Sequence, residues 1–279
     1  MIKNVQSLKD RANNFAKENN LTVQQVLQNY MFERFLERLS VSKYKEKLII
    51  KGGLLLSSLI GIKLRNTMDI DADIVGINFK KEEIEKLITN IIKINLNDNT
   101  QMKLEKIEEI KEESEYGGYR AKLVGNLENL KIPFHIDIST GDIITPRAVE
   151  YKYKKLLEED YIEIYTYNQE TVIAEKLQTI LSRKIANSRM KDYYDLYFFA
   201  NSKWQEIDKK ILRQAIKATF EQRDSKEDLE NREKIISTIE KDKTLTQSWK
   251  DYQAKHLYAK SIKYDDVIKA IRIIGREII

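Results

Sequence analysis

The sequence has no cysteine, two histidines, two prolines and nine glycines in 279 residues. Without cysteine there is no disulfide framework, no thiolate metal site and no cysteine nucleophile. Two histidines leave little room for His-rich metal sites or His-based catalysis. Metal chemistry is therefore expected to run on carboxylates, which select hard ions such as Mg²⁺ or Mn²⁺. The scarce prolines and glycines mark no flexible linker, and no internal repeat is visible. No apolar run approaches the roughly 20 residues needed to span a bilayer. The opening MIKNVQSLKDRANNF lacks the apolar core of about 7–15 residues that a secretion signal carries. A cytoplasmic location with no membrane partner is the expectation. Lys and Arg total 49 against 44 Asp and Glu, a net charge of +5. That excess permits a nucleic-acid partner without requiring one.

What is present suits a soluble, largely helical protein: 42% hydrophobic and 33% charged residues. The length corresponds to about two domains at roughly 150 residues each. Residues 7–40 read as two helices. Ser7 opens the first, and Thr22 opens the second with Gln25 in the capping-box position. Residues 46–166 change character. An apolar run, Leu48 to Ile50, meets Lys51-Gly52-Gly53 and a helix-like stretch, Leu54 to Ile60. Met68 to Val75 reads as a strand and Phe79 to Ile94 as a helix. Alternation around Tyr119 to Leu123 and Phe134 to Ile138 adds strands. Beyond residue 167 the pattern is helical: 169–184, 190–201, 206–220, 226–241 and 265–277, with a less regular stretch at 241–264. The fold class expected is α+β, a mixed sheet with N-terminal helices in residues 1–166 and a helical domain in residues 167–279.

The chemistry centres on Asp69-Ile70-Asp71. Strand side chains alternate, so Asp69 and Asp71 share a face while Ile70 points into the core. Same-face carboxylates repel, and a divalent cation compensates directly. A lone D-x-D also fits an exposed edge strand decorated with acids. The context upstream changes the weighting. Gly52 and Gly53 follow a strand-like run and precede a helix, where backbone N–H groups can approach a phosphate; Ser57 and Ser58 could add hydroxyls. Neither a Walker loop nor a dinucleotide fingerprint is present. Alternation in Phe134-His135-Ile136-Asp137 puts Asp137 opposite the apolar face, so a neighbouring strand could bring it beside Asp69 and Asp71. Three carboxylates around one or two metal ions make a phosphoryl or nucleotidyl transfer site.

This string resembles the nucleotidyltransferases of the DNA polymerase β superfamily, and more narrowly the AbiEii/AbiGii toxins of type IV toxin–antitoxin and abortive-infection systems, related to the MenT toxins. The G-G, spacer, D-x-D pattern is matched by Gly52, Gly53, Asp69 and Asp71. The Arg-x-Thr-x-Asp-h-Asp run is matched by Arg65, Thr67, Asp69 and Asp71. A downstream lysine and R/K-D-x-x-D-h signature is matched by Lys176 and by Lys191-Asp192-Tyr193-Tyr194-Asp195-Leu196. The match at Asp137 is looser, and nothing beyond about residue 200 matches a motif. The resemblance implies a polymerase β-like core, Asp69, Asp71 and Asp137 as metal ligands, and Gly52, Gly53, Ser57, Arg65, Thr67 and Lys176 as nucleotide-binding residues. By the same resemblance, Lys176 and Asp192 are expected to join Asp69 and Asp71 in catalysis. It also implies an NTP substrate, Mg²⁺ or Mn²⁺, and a separately encoded antitoxin.

The downstream motif has its own physics. On a helix, Ile173, Leu177, Ile180 and Leu181 form the apolar stripe. Lys176 borders it, from where its ammonium could meet a triphosphate as a point charge. Asp192 is an i,i+3 neighbour of both Arg189 and Asp195, which equally suits a surface ion-pair cluster. Trp249, Tyr252, Tyr258 and Tyr264 are interleaved with Lys250, Lys255, Lys260 and Lys263. That mix can grip single-stranded nucleic acid but reads better as solvated helix faces over an aromatic core.

The reading that follows is a toxin that transfers NMP from an NTP to an acceptor hydroxyl, with RNA, and the tRNA 3′ end, as the leading acceptor. A small-molecule (antibiotic) nucleotidyltransferase and a non-catalytic nucleotide- or RNA-binding protein are its rivals. Arg183, Lys184, Arg189 and Lys191 are the candidate RNA contacts, with the RNA end expected to enter between the two halves.

Overall fold

In the computed structural model the described residues are 2, 4–63, 65, 67–110 and 117–277. Asn66 of the Arg-x-Thr run lies outside them. The chain divides into two compact units, Met1–Gly141 with Val149–Thr166, and Asp142–Ala148 with Tyr167–Ile279.

The first unit opens with helices α1 (Val5–Asn19) and α2 (Val23–Ser40). The cap of α1 is Asn4, whose side chain accepts the Ser7 N–H at 2.8 Å, so the helix starts before the expected Ser7. In α2 the capping box forms as its sequence dictates: Thr22 Oγ1 accepts the Gln25 N–H and Gln25 Oε1 accepts the Thr22 N–H. There follow β1 (Leu48–Lys51), α3 (Gly52–Ile60), β2 (Ile70–Ile74), α4 (Lys81–Ile92), β3 (Thr100–Ile110), β4 (Gly118–Leu127), β5 (Leu130–Thr140), β6 (Val149–Lys154) and β7 (Tyr161–Thr166).

These strands form one sheet in the order β3-β4-β5-β2-β1-β7-β6. β2 runs parallel to β5 and β1 parallel to β7, while the remaining pairs are antiparallel. The fold is thus α+β with a mixed sheet. Ile70, Ala72, Ala121, Leu123, Ile136 and Ile138 are buried in the core, where β5 and β7 meet α2. Because strand side chains alternate, burying this set turns Asp71, Asp137 and Arg120 to the opposite face.

Helix α2 also buries charge. Arg38 forks onto Asp98 with both bonds at 2.8 Å, and Lys155 Nζ lies 2.6 Å from Glu37 and 2.7 Å from Asp160. Glu33 is fully buried; its Oε1 accepts the Leu156 N–H at 2.6 Å, but its Oε2 has no partner. Burial pushes its carboxyl up to about 8, against the opposing pull of the Leu156 N–H and Arg34. From about pH 4.5 to 8 the folded state then holds a proton that the unfolded chain has released, so stability falls as pH rises through that window. Glu33→Gln keeps the acceptor for Leu156 and removes this cost. Urea unfolding should show the variant more stable by about 1–3 kcal/mol at pH 8, with the gain shrinking toward pH 4.5. A gain that does not change with pH would exclude Glu33 as its source.

The second unit is helical: α5 (Gln169–Arg183), α6 (Met190–Phe198), α7 (Lys209–Gln222), α8 (Lys226–Glu230), α9 (Arg232–Lys241), α10 (Lys243–Lys255) and α11 (Tyr264–Arg276). Two local expectations are corrected. The helix expected over 226–241 breaks at Asn231 into α8 and α9. The stretch 241–264 is more regular than its sequence suggests: Asp242 caps α10 by accepting the Leu245 N–H at 2.8 Å. Trp249, buried in α10, donates its indole N–H to the Ile262 carbonyl and stacks on Tyr252. Tyr194, Tyr252, His256 and Tyr258 complete the aromatic cluster. Lys250, Lys255, Lys260 and Lys263 are exposed, so the basic–aromatic tail is an aromatic core with solvated lysines.

Candidate active site

Register assembles the first unit's site. In the parallel β2–β5 pair, Ile70 faces Ile136 and Asp71 faces Asp137. Asp69 and His135 stand one step earlier on the same two segments. In the antiparallel β4–β5 pair, Arg120 faces Asp137 and Lys122 faces His135. Side-chain ligand atoms of Asp69, His135 and Asp137 lie within 4.8 Å of one another.

Each acid is held differently. Asp69 Oδ1 accepts the Thr67 hydroxyl at 2.6 Å. Asp71 Oδ2 accepts the Gly53 N–H at 3.0 Å. Asp137 takes the Arg120 guanidinium at both oxygens, 2.7 and 2.6 Å; a carboxylate offers about four lone-pair sites, so roughly two remain. Asp73, next on the β2 face, is buried, accepts the Ser139 hydroxyl at 3.1 Å and lies 3.9 Å from Lys51 Nζ.

The glycine pair is built around these acids. Gly52 has φ +60, and a Cβ there would lie 2.0 Å from Asp71 Oδ2; a Cβ on Gly53 would lie 2.4 Å from Thr67 Oγ1. The two glycines let the start of α3 press onto the acid-bearing segment. Ser57 is buried in α3, and Arg65 and Thr67 are buried on the approach to β2. Ser58 shares a hydrogen bond with Tyr151 at 2.8 Å.

In the second unit, Lys176 of α5 lies 2.7 Å from both Asp192 Oδ1 and Asp195 Oδ2 of α6, and Arg189 Nε lies 3.2 Å from Asp192 Oδ2. Both carboxylates are buried. Burial opposes the Asp192 charge, but Lys176 and Arg189 outweigh it and hold its carboxyl below its ordinary value. Its contribution to stability is therefore complete above the unfolded value of about 3.9 and is lost as pH falls through the lower folded value.

This geometry makes the charge of Lys176 part of what holds α5 against α6. Lys176→Ala leaves two buried carboxylates without their ammonium, a loss of about 3–5 kcal/mol for a broken buried pair. Thermal unfolding of Lys176→Ala should fall sharply, and Lys176→Arg, which keeps the charge, should recover most of it. Equal melting of all three proteins would contradict the ion-pair account. Asp142 accepts from Arg223 at 3.0 Å, and Arg223 also binds Glu175 at 2.8 Å.

The donor set fits a divalent cation. Carboxylates from β5 and the approach to β2 converge on one face, and their charge is only partly matched by Arg120. The expectation of an all-carboxylate set missed His135. Its signal was present in the alternation His135-Ile136-Asp137, which puts residues 135 and 137 on one face. Arg120 carried no such signal, because its partner depends on the β4–β5 register.

No helix among the described residues is long and apolar enough to cross a membrane. No curated protein matches the chain. Among solved structures, a candidate nucleotidyltransferase from H. pylori is similar at 15% identity, over 92% of this chain and 97% of that one, with a TM-score of 0.49. JHP933 from Helicobacter pylori is similar at 16% identity, over 91% of each chain, with a TM-score of 0.48. The AbiEii family model, described as nucleotidyl transferase AbiEii toxin of the type IV toxin–antitoxin system, matches residues 34–270. The match runs from within α2 to within α11 and takes in the glycine pair, all the acids and the Lys176 cluster, so the chain belongs to the AbiEii nucleotidyltransferase toxin family.

Proposed function

We propose that this protein transfers a nucleoside monophosphate from an NTP to a hydroxyl at an RNA 3′ end, with tRNA the leading acceptor. The observation that carries the reading is the pairing of Asp71 with Asp137 across parallel β2 and β5, with Asp69 beside them and Gly52-Gly53 pressed against the same acids. The acceptor hydroxyl gives its proton to Asp137, its oxygen forms a bond to the α-phosphorus, the bond from that phosphorus to the β-phosphate bridging oxygen breaks, and pyrophosphate leaves. A bound Mg²⁺ or Mn²⁺ would lower the cost of the acceptor alkoxide and of charge on the leaving group.

The chain's own residues do the rest. Asp69 and Asp71 hold the cation, Asp69 aimed by Thr67 and Asp71 by the Gly53 N–H. Asp137, fixed by Arg120, is the third acid. Gly52 and Gly53 at the start of α3, Ser57 farther along it, and Arg65 and Thr67 serve the nucleotide. In the second unit Lys176 serves the triphosphate, and Asp192 and Asp195 hold its ammonium in position. Such transfer would arrest growth by disabling RNA, in an abortive response to phage that a cognate antitoxin restrains.

RNA binding should weaken steeply with salt, since neutralising phosphates releases counterions. Arg183 is half-buried, while Lys184 is exposed and pairs with Asp228 at 3.0 Å. Reversing both charges, Arg183→Glu with Lys184→Glu, should cut RNA labelling several-fold while NTP binding stays as in the wild type. Labelling that survives both the reversal and high salt would favour a small-molecule acceptor such as an antibiotic. Unchanged toxicity when Asp69 and Asp71 become Asn would favour a protein that only sequesters nucleotide or RNA.

A further inference from the structure

We propose that His135 is a metal ligand of this site, and that it tunes the site toward Mn²⁺ over Mg²⁺. The inference rests on the metal-binding role of Asp69 and its neighbours proposed above.

Three observations carry it. First, the register that brings Asp71 beside Asp137 also brings His135 beside Asp69, and the ligand atoms of Asp69, His135 and Asp137 fall within 4.8 Å of one another. Second, the imidazole is half-buried, and nothing among the described residues hydrogen-bonds it or pairs with it. A half-buried ring whose nitrogens are uncommitted, set between two carboxylates, is placed as a ligand rather than as a strut. Third, Arg120 already covers both Asp137 oxygens, at 2.7 and 2.6 Å. Asp137 therefore offers a cation less free anionic oxygen than an unpaired aspartate would.

Those features select between cations. Mg²⁺ demands hard oxygen ligands and gives up its waters reluctantly. An imidazole nitrogen adds affinity for the divalent first-row ions, of which Mn²⁺ gains least, and it adds less still for Mg²⁺, whose preference is for oxygen alone. Adding a nitrogen donor from His135, and screening Asp137 by Arg120, moves the balance away from Mg²⁺.

The test reads the metal directly. Purified full-length protein is titrated with Mn²⁺ while the free aquo-ion is followed by electron paramagnetic resonance, and Mg²⁺ is then added as competitor. The wild type, His135→Ala, His135→Gln and the Asp69→Asn, Asp71→Asn double variant are compared. Loss of the ring should weaken Mn²⁺ binding by about tenfold or more, the scale on which loss of a metal's supporting groups acts. Mg²⁺ affinity should change far less, so the preference for Mn²⁺ collapses. Pulsed measurements on the Mn²⁺-loaded wild type should show coupling to an imidazole nitrogen, which needs no variant and is independent of how the variants fold. Absence of that coupling, or an unchanged Mn²⁺-to-Mg²⁺ ratio in both His135 variants, overturns the proposal. If the double Asn variant loses Mn²⁺ while the His135 variants keep it, the role of His135 fails and the proposed function stands. If the double Asn variant also binds Mn²⁺ as the wild type does, both fail.

Discussion

Asparagine at both positions 69 and 71 should lower nucleotide transfer by on the order of 10³-fold or more, since a metal's charge stabilisation is worth several kcal/mol and each 1.36 kcal/mol is tenfold in rate. The fold should survive. Asp69 Oδ1 accepts from Thr67 and Asp71 Oδ2 accepts from the Gly53 N–H, and an amide oxygen can take over both contacts. The substitution also relieves repulsion between carboxylates on one sheet face, so unfolding experiments should show equal stability or a gain of up to about 1 kcal/mol. The combination is diagnostic: a residue kept for packing loses stability when it is changed, whereas these two should lose only chemistry. A double variant that transfers nucleotide at the wild-type rate would remove the metal from the reaction.

Gly52→Ala is expected to damage both fold and activity, for reasons legible atom by atom. Gly52 has φ +60, a region that costs a residue with a Cβ about 1–3 kcal/mol. The new methyl would also sit 2.0 Å from Asp71 Oδ2, so either that carboxylate or the start of α3 must move. Displacing a reacting group by about 1 Å can cost on the order of 10²-fold. Chemical denaturation and transfer assays together should show a loss of about 1–3 kcal/mol with activity down roughly 100-fold. Gly61 has φ +102 and open space around its Cβ position, so Gly61→Ala should cost stability without comparable loss of activity. If Gly61→Ala and Gly52→Ala impair transfer equally, the close approach to Asp71 is not what Gly52 provides.

How far the sequence reached depends on which interaction decided each feature. Local chemistry was readable. The Thr22–Gln25 box is written within four residues and forms as written. The alternation of Ile70 with its flanking acids, and of Ile136 with Asp137, required only that one face be buried. The α+β class followed from such patterns. What depends on partners distant in sequence was not readable. Whether the sheet brings Asp137 beside Asp71 depends on β2 running parallel to β5. The Arg120 fork on Asp137 depends on β4 register. β6 and β7, each six residues long and rich in charged and tyrosine residues, have patterns too short to separate from loop. Asn4 displaced Ser7 as the cap of α1 because both are good caps and only geometry chooses between them. Lys176 was visible at the border of an apolar stripe, but its burial against two aspartates came from the packing of α5 on α6.

The central claim, nucleotide transfer to RNA by the Asp69–Asp71 face, is tested most directly in one experiment. Wild-type protein and the Asp69→Asn, Asp71→Asn double variant are each incubated with one labelled NTP at a time, Mg²⁺ or Mn²⁺, and total cellular RNA, and the products are resolved on a denaturing gel. The account predicts label on a discrete RNA band with at least one NTP in the wild type, loss of that label when the metal is chelated, and none with the double variant. Equal labelling by the two proteins, or no labelled RNA with any of the four NTPs, would contradict it.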